Sequence, residues 1–470
     1  MNFDGTNENT FKRRLDSGDF QVIAELPVPS ADTQDSDAVR KYADFEYLIH
    51  AQENPNSLIA FTCNTPPGYA MDPVDFASKL CKFAQDRHII YVSGIDQSLN
   101  DIRTMVQHAV SCGFRNFCAV TGQAAANENE EKTRSHVFTE SVNILHDLRE
   151  KMPGPYTFGA VINPYQYTPC SSYAQSFHLF RKIANGSHFI TTQFGWDAKK
   201  LQELIWNLYR REINIPVIAR MLILTPENAE DVCAGRVPGV HLSPDFIQLL
   251  RREREHSFVQ FQAAQLRRIQ IHAAGAKFLG CSAVQLTGTT HPDTLELVFQ
   301  RIRQGLQEFH SFEEWRAAYL DYYGRIEIAP YPNLFYLFEN LLQKERLEHD
   351  PGLPATMIPP VSFREKVVHS LSKKLFRHSQ DAAPGERLLT KKILAGCSSC
   401  SNCRLSETGF VCPELCPKGL SNGSCGENLV NGDCPFTQTE CIFAKRIRLA
   451  TADDDYSSLD EGAVPSLEKR

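Results

Sequence analysis

The chain has 470 residues, of which 42% are apolar and 22% charged, with a formal net charge of −7. That length exceeds one ordinary hydrophobic core and predicts two or three domains, while the acidic balance excludes a general attraction for nucleic acid. No apolar run is long enough for a membrane span, and Met1–Phe20 is polar with mixed charge rather than a signal peptide, so a cytoplasmic protein without membrane insertion is expected.

After the polar opening, Phe11–Gly18 reads as a short helix. Val22–Val28 is an apolar run stopped by prolines, a buried strand with Glu25 near its C-terminal end. An acid inside such a run is unusual, because an unpaired carboxylate is costly to bury. Asp35–Glu46 reads as helix, Ser57–Cys63 as strand, Asp72–Gln85 as helix and His88–Val92 as strand. The alternation continues with helix Asn100–Ser111, strand Asn116–Val120 ending in Thr121-Gly122-Gln123, and a polar loop over Ala124–Arg134.

Helix Ser135–Leu148 precedes strand Thr157–Ile162 and the turn Asn163-Pro164-Tyr165. Helix Ser172–Ile183 leads to strand Phe189–Thr192, ended by Gln193; helix Ala198–Arg210 leads to strand Pro216–Leu224. A helix start near Pro238–Leu250 and the helix Phe258–Ala274 precede an eighth strand, Ala283–Leu286. Eight short apolar strands alternating with helices suit a (β/α)8 TIM barrel, an α/β fold; an open doubly wound sheet gives the same pattern. The count of eight and the lack of a Gly-rich dinucleotide fingerprint after the first strand favour the barrel. Polar candidates, among them Thr62 and Asn163, stand at the C-terminal ends of different strands, where barrel active sites are built.

Helices Pro292–Leu306 and Ser311–Tyr322 follow, then the aromatic segment Pro330–Lys344, a proline-containing linker at Leu347–Pro360 and an amphipathic stretch at Phe363–Leu375. The expected division is a barrel over 1–310, a helical connector over 311–390, a cysteine-rich domain over 391–452 and an acidic disordered tail over 453–470. Eight of the fifteen cysteines lie in the third part: Cys397, Cys400, Cys403, Cys412, Cys416, Cys425, Cys434 and Cys441. In a chain of intracellular character such a run points to metal or iron–sulfur ligation rather than disulfides. Cys397-x2-Cys400-x2-Cys403 matches the start of a ferredoxin run, and Cys412-Pro413 and Cys416-Pro417 match the cysteine–proline step that closes one. The same inventory satisfies four-cysteine zinc sites, so zinc remains the alternative.

The chain resembles the methylenetetrahydrofolate reductase family in its barrel, and the C-terminal domain found beside that reductase in some anaerobic bacteria in its cysteine-rich part. The second likeness rests on Cys397-x2-Cys400-x2-Cys403-Arg404-Leu405, Val411-Cys412-Pro413-x2-Cys416-Pro417-Lys418, Asn422-Gly423-x-Cys425-Gly426, Gly432-x-Cys434 and Cys441. The first rests on Glu25, Gly113-Phe114-Arg115-Asn116, Thr191-Thr192-Gln193-Phe194 with Asp197, and Pro238-Gly239-Val240. The resemblance implies a flavoprotein, carrying FAD or FMN, that reduces the methylene group on tetrahydrofolate to methyl. It implies Glu25 as the acid that protonates the folate nitrogen, against the alternative that Glu25 simply pairs with a basic residue. It also implies Gln193 as a hydrogen-bond partner of folate or nicotinamide, and Lys182 as a contact of the flavin phosphate or ribityl region. Thr62, Gln123, Asn163 and Arg220 complete the cofactor-binding candidates.

Three departures stand out. Gln123 replaces the family's aspartate after strand four, Val92 stands where many members carry histidine, and Arg220-Met221-Leu222 replaces a glycine after strand seven. The leading expectation is therefore a folate reductase drawing electrons from NAD(P)H, or from a redox partner protein or subunit through iron–sulfur, with a homo-oligomer as a further expectation. The alternative is a folate- or flavin-binding electron-transfer or scaffold subunit without the standard reductase activity, which the loss of the aspartate at Gln123 favours.

Overall fold

The computed structural model describes residues 9–51, 57–63, 65–82, 84–123, 129–330, 334–346, 357–376, 388–400, 402–459 and 462–466. Tyr331, most of the linker at 347–356, the polar stretch 377–387 and part of the loop at 124–128 lie outside these. Strands β1 (Gln21–Pro27), β2 (Ser57–Thr62), β3 (Ile89–Ser93), β4 (Asn116–Val120), β5 (Thr157–Ile162), β6 (Phe189–Thr192), β7 (Val217–Leu222) and β8 (Ala283–Thr287) form a closed barrel in sequence order. All pairs are parallel, and β1 closes on β8 with Ile23 beside Gln285. The TIM barrel is thus the fold, not the open sheet.

Helices α1 (Thr10–Ser17), α2 (Asp35–Ala51), α3 (Pro73–Leu80), α4 (Leu99–Ser111), α5 (Glu130–Ser135), α6 (Ser141–Lys151), α7 (Pro169–Ala184) and α8 (Ala198–Arg210) occupy the first two thirds of the barrel region. Then come α9 (Pro226–Cys233), α10 (Pro244–His256), α11 (Phe258–Phe278), α12 (Pro292–Glu308) and α13 (Phe312–Tyr323). The last part holds α14 (Phe363–Phe376), α15 (Leu388–Ala395) and α16 (Ile442–Asp453). Sequence periodicity does not reveal α9, α15 or α16: the first and second span only eight residues each, and the third follows a run of cysteines and turns.

The strands read as nearly continuous apolar runs because a parallel barrel buries both faces. Outward residues such as Val22, Ala24, Phe61, Val92 and Leu286 pack under the helices. Inward residues Ile23, Leu58, Ile89, Cys118 and Phe189 fill the interior with Phe11 and Leu15 of α1, which stoppers the N-terminal end. Asn9 secures that stopper by donating to Asn116 Oδ1 at 2.6 Å and Thr157 Oγ1 at 2.9 Å. Position 159, facing inward on β5, is glycine because a Cβ there would stand 2.2 Å from the Phe189 ring.

The segment expected to be a helical connector is only partly so. Trp315 of α13 is fully buried in the barrel's outer layer and donates to Ile271 O at 2.9 Å. Residues 334–346 contain no helix; Phe335, Leu337 and Phe338 instead bury Trp206 of α8.

The cysteine-rich part sits on the C-terminal end of the barrel. Ile95, Phe138, Cys170 and Ala174 of the barrel share one apolar cluster with Leu420, Ile442, Phe443 and Ile447. The tail is not disordered where it is described. Leu459 and Val464 are buried, and Val464 N donates to Asn422 Oδ1 at 2.7 Å. Two apolar anchors and satisfied backbone groups hold this acidic segment down.

Candidate functional site at the barrel mouth

The top inward layer of the barrel is polar. Period-two alternation aims Glu25 (β1), Tyr91 (β3), Arg220 (β7) and Gln285 (β8) at one another. Arg220 grips Glu25 in a fork, with Nε to Oε2 at 2.7 Å and Nη2 to Oε1 at 2.5 Å. Gln285 donates to Glu25 Oε2 at 2.9 Å, and Thr62 donates to Oε1 at 3.4 Å. Burial opposes the charge on Arg220, but the Glu25 carboxylate outweighs burial and holds the guanidinium above its ordinary pKa. Arg220 also donates through Nη1 to Gln193 Oε1 at 3.2 Å and lies over the Phe194 ring.

Above this layer is a cavity of about 240 Å³, walled by the ends of the middle strands and by α7. Gln175, His178 and Lys182 reach it from one face of α7, at i, i+3 and i+7. Lys182 is buried, donates to Val161 O at 2.6 Å, and is pushed down to about 8 by burial. His178 Nδ1 lies 3.0 Å from Ser424 O, so the carbonyl makes Nδ1 the protonated nitrogen. Burial, with Lys182 beside it, pushes this imidazole well below the ordinary histidine value. His178 is therefore neutral, and its Nε2 is a buried acceptor with no hydrogen-bond partner. Ser141 Oγ, also on the cavity wall, has none either.

The roof belongs to the C-terminal domain. The Glu140 carboxylate accepts from Ser421 N at 2.8 Å, Asn422 N at 2.9 Å and Asn422 Nδ2 at 2.9 Å. Burial pushes the Glu140 pKa up, and those donors oppose the rise. Asn163 donates to Gly426 O at 2.6 Å, and Gln175 donates to Ser424 O at 2.9 Å. Gly423 passes so close to His178 that a Cβ would stand 2.1 Å from the imidazole Cγ. Lys418 donates to both oxygens of Glu427 at 2.8 Å, and Gln123 donates to Glu427 Oε1 at 3.3 Å. Cys425 is exposed, and it lines this cavity.

All eight clustered cysteines are free thiols. Cys403 and Cys412 share a small apolar cluster with Phe376 and Leu405, whereas Cys416 and Cys441 border the cluster shared with the barrel. Burial pushes Cys412 up to about 11, and charge at Cys397 and Cys400 adds to the rise. Burial pushes Cys416 up to about 12, with Cys441 and Cys434 as its sulfur neighbours. Cys425 in turn feels Cys416 and Cys441. The sulfurs thus fall into a set of Cys397, Cys400, Cys403 and Cys412 and a set of Cys416, Cys425, Cys434 and Cys441. No three of them lie within 4.8 Å of one another, a condition met among the described residues only by exposed Asp72, Asp75 and His108. Tetrahedral zinc thiolates, with Zn–S near 2.3 Å, stand roughly 3.8 Å apart.

Of the residues singled out in the sequence, Gln123, Asn163, Lys182, Gln193 and Arg220 line the cavity. Glu25 and Thr62 do not line it; they lie below Arg220, and Glu25 is ion-paired. Sequence reasoning missed Glu140, Gln175, His178, Lys418 and Glu427. The helical spacing of Gln175, His178 and Lys182 was a usable signal, since three polar residues on one face of a buried helix need a reason. Nothing local marks Glu427 as a barrel residue.

Residues 54–251 match the family model described as Methylenetetrahydrofolate reductase, and residues 378–467 match the one described as Methylene-tetrahydrofolate reductase C terminal. No curated protein matches the chain. Among solved structures it is similar to "Uncharacterized protein from Clostridium thermocellum binds two copies of 5-methyl-5,6,7,8-tetrahydrofolic acid". That likeness has 11% identity over 62% of this chain and 97% of the other, with a TM-score of 0.46.

Proposed function

The barrel and the final domain of this chain belong to the methylenetetrahydrofolate reductase family, and from that premise we propose an oxidoreductase of one-carbon folates whose cavity exchanges electrons with thiolate-bound metal in its own roof. The observation that carries the reading is Cys425, which belongs to a four-sulfur set and also lines the cavity with Lys182, Gln193 and Arg220. Reducing 5,10-methylenetetrahydrofolate to 5-methyltetrahydrofolate takes two electrons and two protons. An iron–sulfur centre delivers electrons singly, so the cavity needs a group that stores two. A flavin supplies that conversion when bound.

The residues present fit one flat heterocycle of this kind. Ligand pockets usually span about 300–1,000 Å³, and the cavity of about 240 Å³ is of the size of one ring system. Arg220, held rigid by Glu25, and Lys182 offer positive charge to the electron-rich edge of a reduced ring. His178 Nε2 offers an acceptor to a ring N–H, and Gln193 orients the side chain of Arg220.

A second reading is favoured by one observation. Both oxygens of Glu25 are occupied by Arg220, Gln285 and Thr62, which leaves no free position from which to hand a proton to folate. That supports a folate- or flavin-binding electron-transfer subunit acting with a partner protein. Anaerobic purification followed by flavin, iron and zinc analysis tests both. Bound flavin with iron, and return of the oxidised-flavin colour when methylenetetrahydrofolate is added to the reduced protein, supports the reductase. Flavin and iron without that reoxidation supports the electron-transfer subunit. A colourless protein carrying zinc overturns both.

A further inference from the structure

The Lys418–Glu427 ion pair of the C-terminal domain faces the cavity of the barrel mouth. We infer that Glu427, carried by the C-terminal domain, is the carboxylate that binds the donor edge of a pterin in the barrel mouth. This rests on the folate reading above and adds the residue that selects folate.

Glu25 is covered by Arg220 and does not line the cavity. Glu140 lines it too, but it is tied to the roof backbone: Oε1 accepts from Ser421 N and Asn422 Nδ2 and Oε2 from Asn422 N, so turning to a ligand would cost the hydrogen bonds that seat the roof. Glu427 lines it as well, and its Oε1 accepts from Lys418 and from Gln123 at a long 3.3 Å. Its Oε2 accepts from Lys418 alone, so a lone-pair direction is open there. Lys418 supplies a countercharge, so a buried carboxylate can persist at the cavity wall.

Ring edges differ in what they ask of a carboxylate. A pterin presents an N–H beside an exocyclic NH2, two adjacent donors whose spacing matches two carboxylate oxygens. The corresponding flavin edge presents one N–H flanked by two carbonyls, which a carboxylate repels. Gln123 is placed to move with the change, because its weak contact to Oε1 can yield to the ligand while its amide turns toward the ring carbonyl. The ligand site is therefore composite, and it is complete only while the last domain is seated on the barrel.

The test compares binding of 5-methyltetrahydrofolate and of FMN to the full-length holoprotein by isothermal calorimetry. The double substitution Glu427→Gln with Lys418→Gln removes both charges together, and Glu427→Asp keeps the negative charge but withdraws the carboxylate by one methylene. Both variants are expected to lose about tenfold or more in affinity for 5-methyltetrahydrofolate, the worth of a charge-assisted hydrogen bond, while FMN binding changes less than about threefold. Unchanged folate affinity in both variants, or equal loss of folate and FMN in both, overturns the assignment of Glu427. If the unaltered protein binds no folate at all, the folate reading itself falls, and this inference with it.

Discussion

Glu25 and Arg220, 195 residues apart in sequence, meet as a forked ion pair at 2.5 and 2.7 Å in the top layer of the barrel. Neither carboxylate oxygen is left unengaged, and the guanidinium stands between the acid and the cavity. The residue that resemblance marks as a proton donor is covered by Arg220, Gln285 and Thr62, and Arg220 is the side chain of the pair that lines the cavity.

That pair is expected to matter for stability when halved. Arg220→Leu leaves a buried carboxylate without its countercharge and should cost about 3–5 kcal/mol, whereas the double change with Glu25→Leu should recover most of the loss. Urea unfolding of the three variants measures this; equal stability of the single and double mutants would contradict it.

Lys182 carries a pH dependence whose sign follows from its depressed pKa. Below about pH 8 it is protonated in both folded and unfolded chains, so the cost of burying its charge is fully present. Between about 8 and the ordinary lysine value near 10.4, the unfolded chain binds the extra proton and stability rises with pH. Over that window the gain is about 3 kcal/mol at most. Lys182→Met should remove this rise, as read from denaturation midpoints at pH 7.5 and 10.

The two sulfur sets should be separable. Cys400→Ser should remove about half of the bound metal and leave a signal from the set nearer the cavity, and Cys425→Ser should do the converse. Metal analysis and visible absorption of the anaerobic protein decide between this and a single shared site, for which either change would empty the domain.

Gly423→Ala should lift the roof. The added methyl would stand 2.1 Å from the His178 ring, and relief requires the 418–427 segment to shift. A destabilisation of about 1–3 kcal/mol is expected, typical of overpacking, together with faster amide exchange confined to that segment and α7. Unaltered exchange would show that the roof tolerates the methyl without moving.

Local pattern was enough for much of this protein. Apolar runs bounded by prolines and polar turns mark all eight strands, and β4, β5 and β6 begin and end where the pattern says, because a strand buried on both faces leaves an unbroken apolar signature. The grouping of eight cysteines after residue 396 sets the last part of the chain apart for a similar reason: the residues that distinguish it lie close together in the chain. Glu25 is a different case. An acid in a buried strand looks the same in sequence whether it faces a ligand or an arginine, and only barrel closure, which sets Arg220 beside Gln285, decides which. Gln123 and Glu427 are 304 residues apart and meet only because the last domain docks on the barrel. The composition of a segment reports what that segment must bury, but the partner of a buried charge is fixed by contacts between distant segments, and those exist only after the chain has closed and the domains have packed.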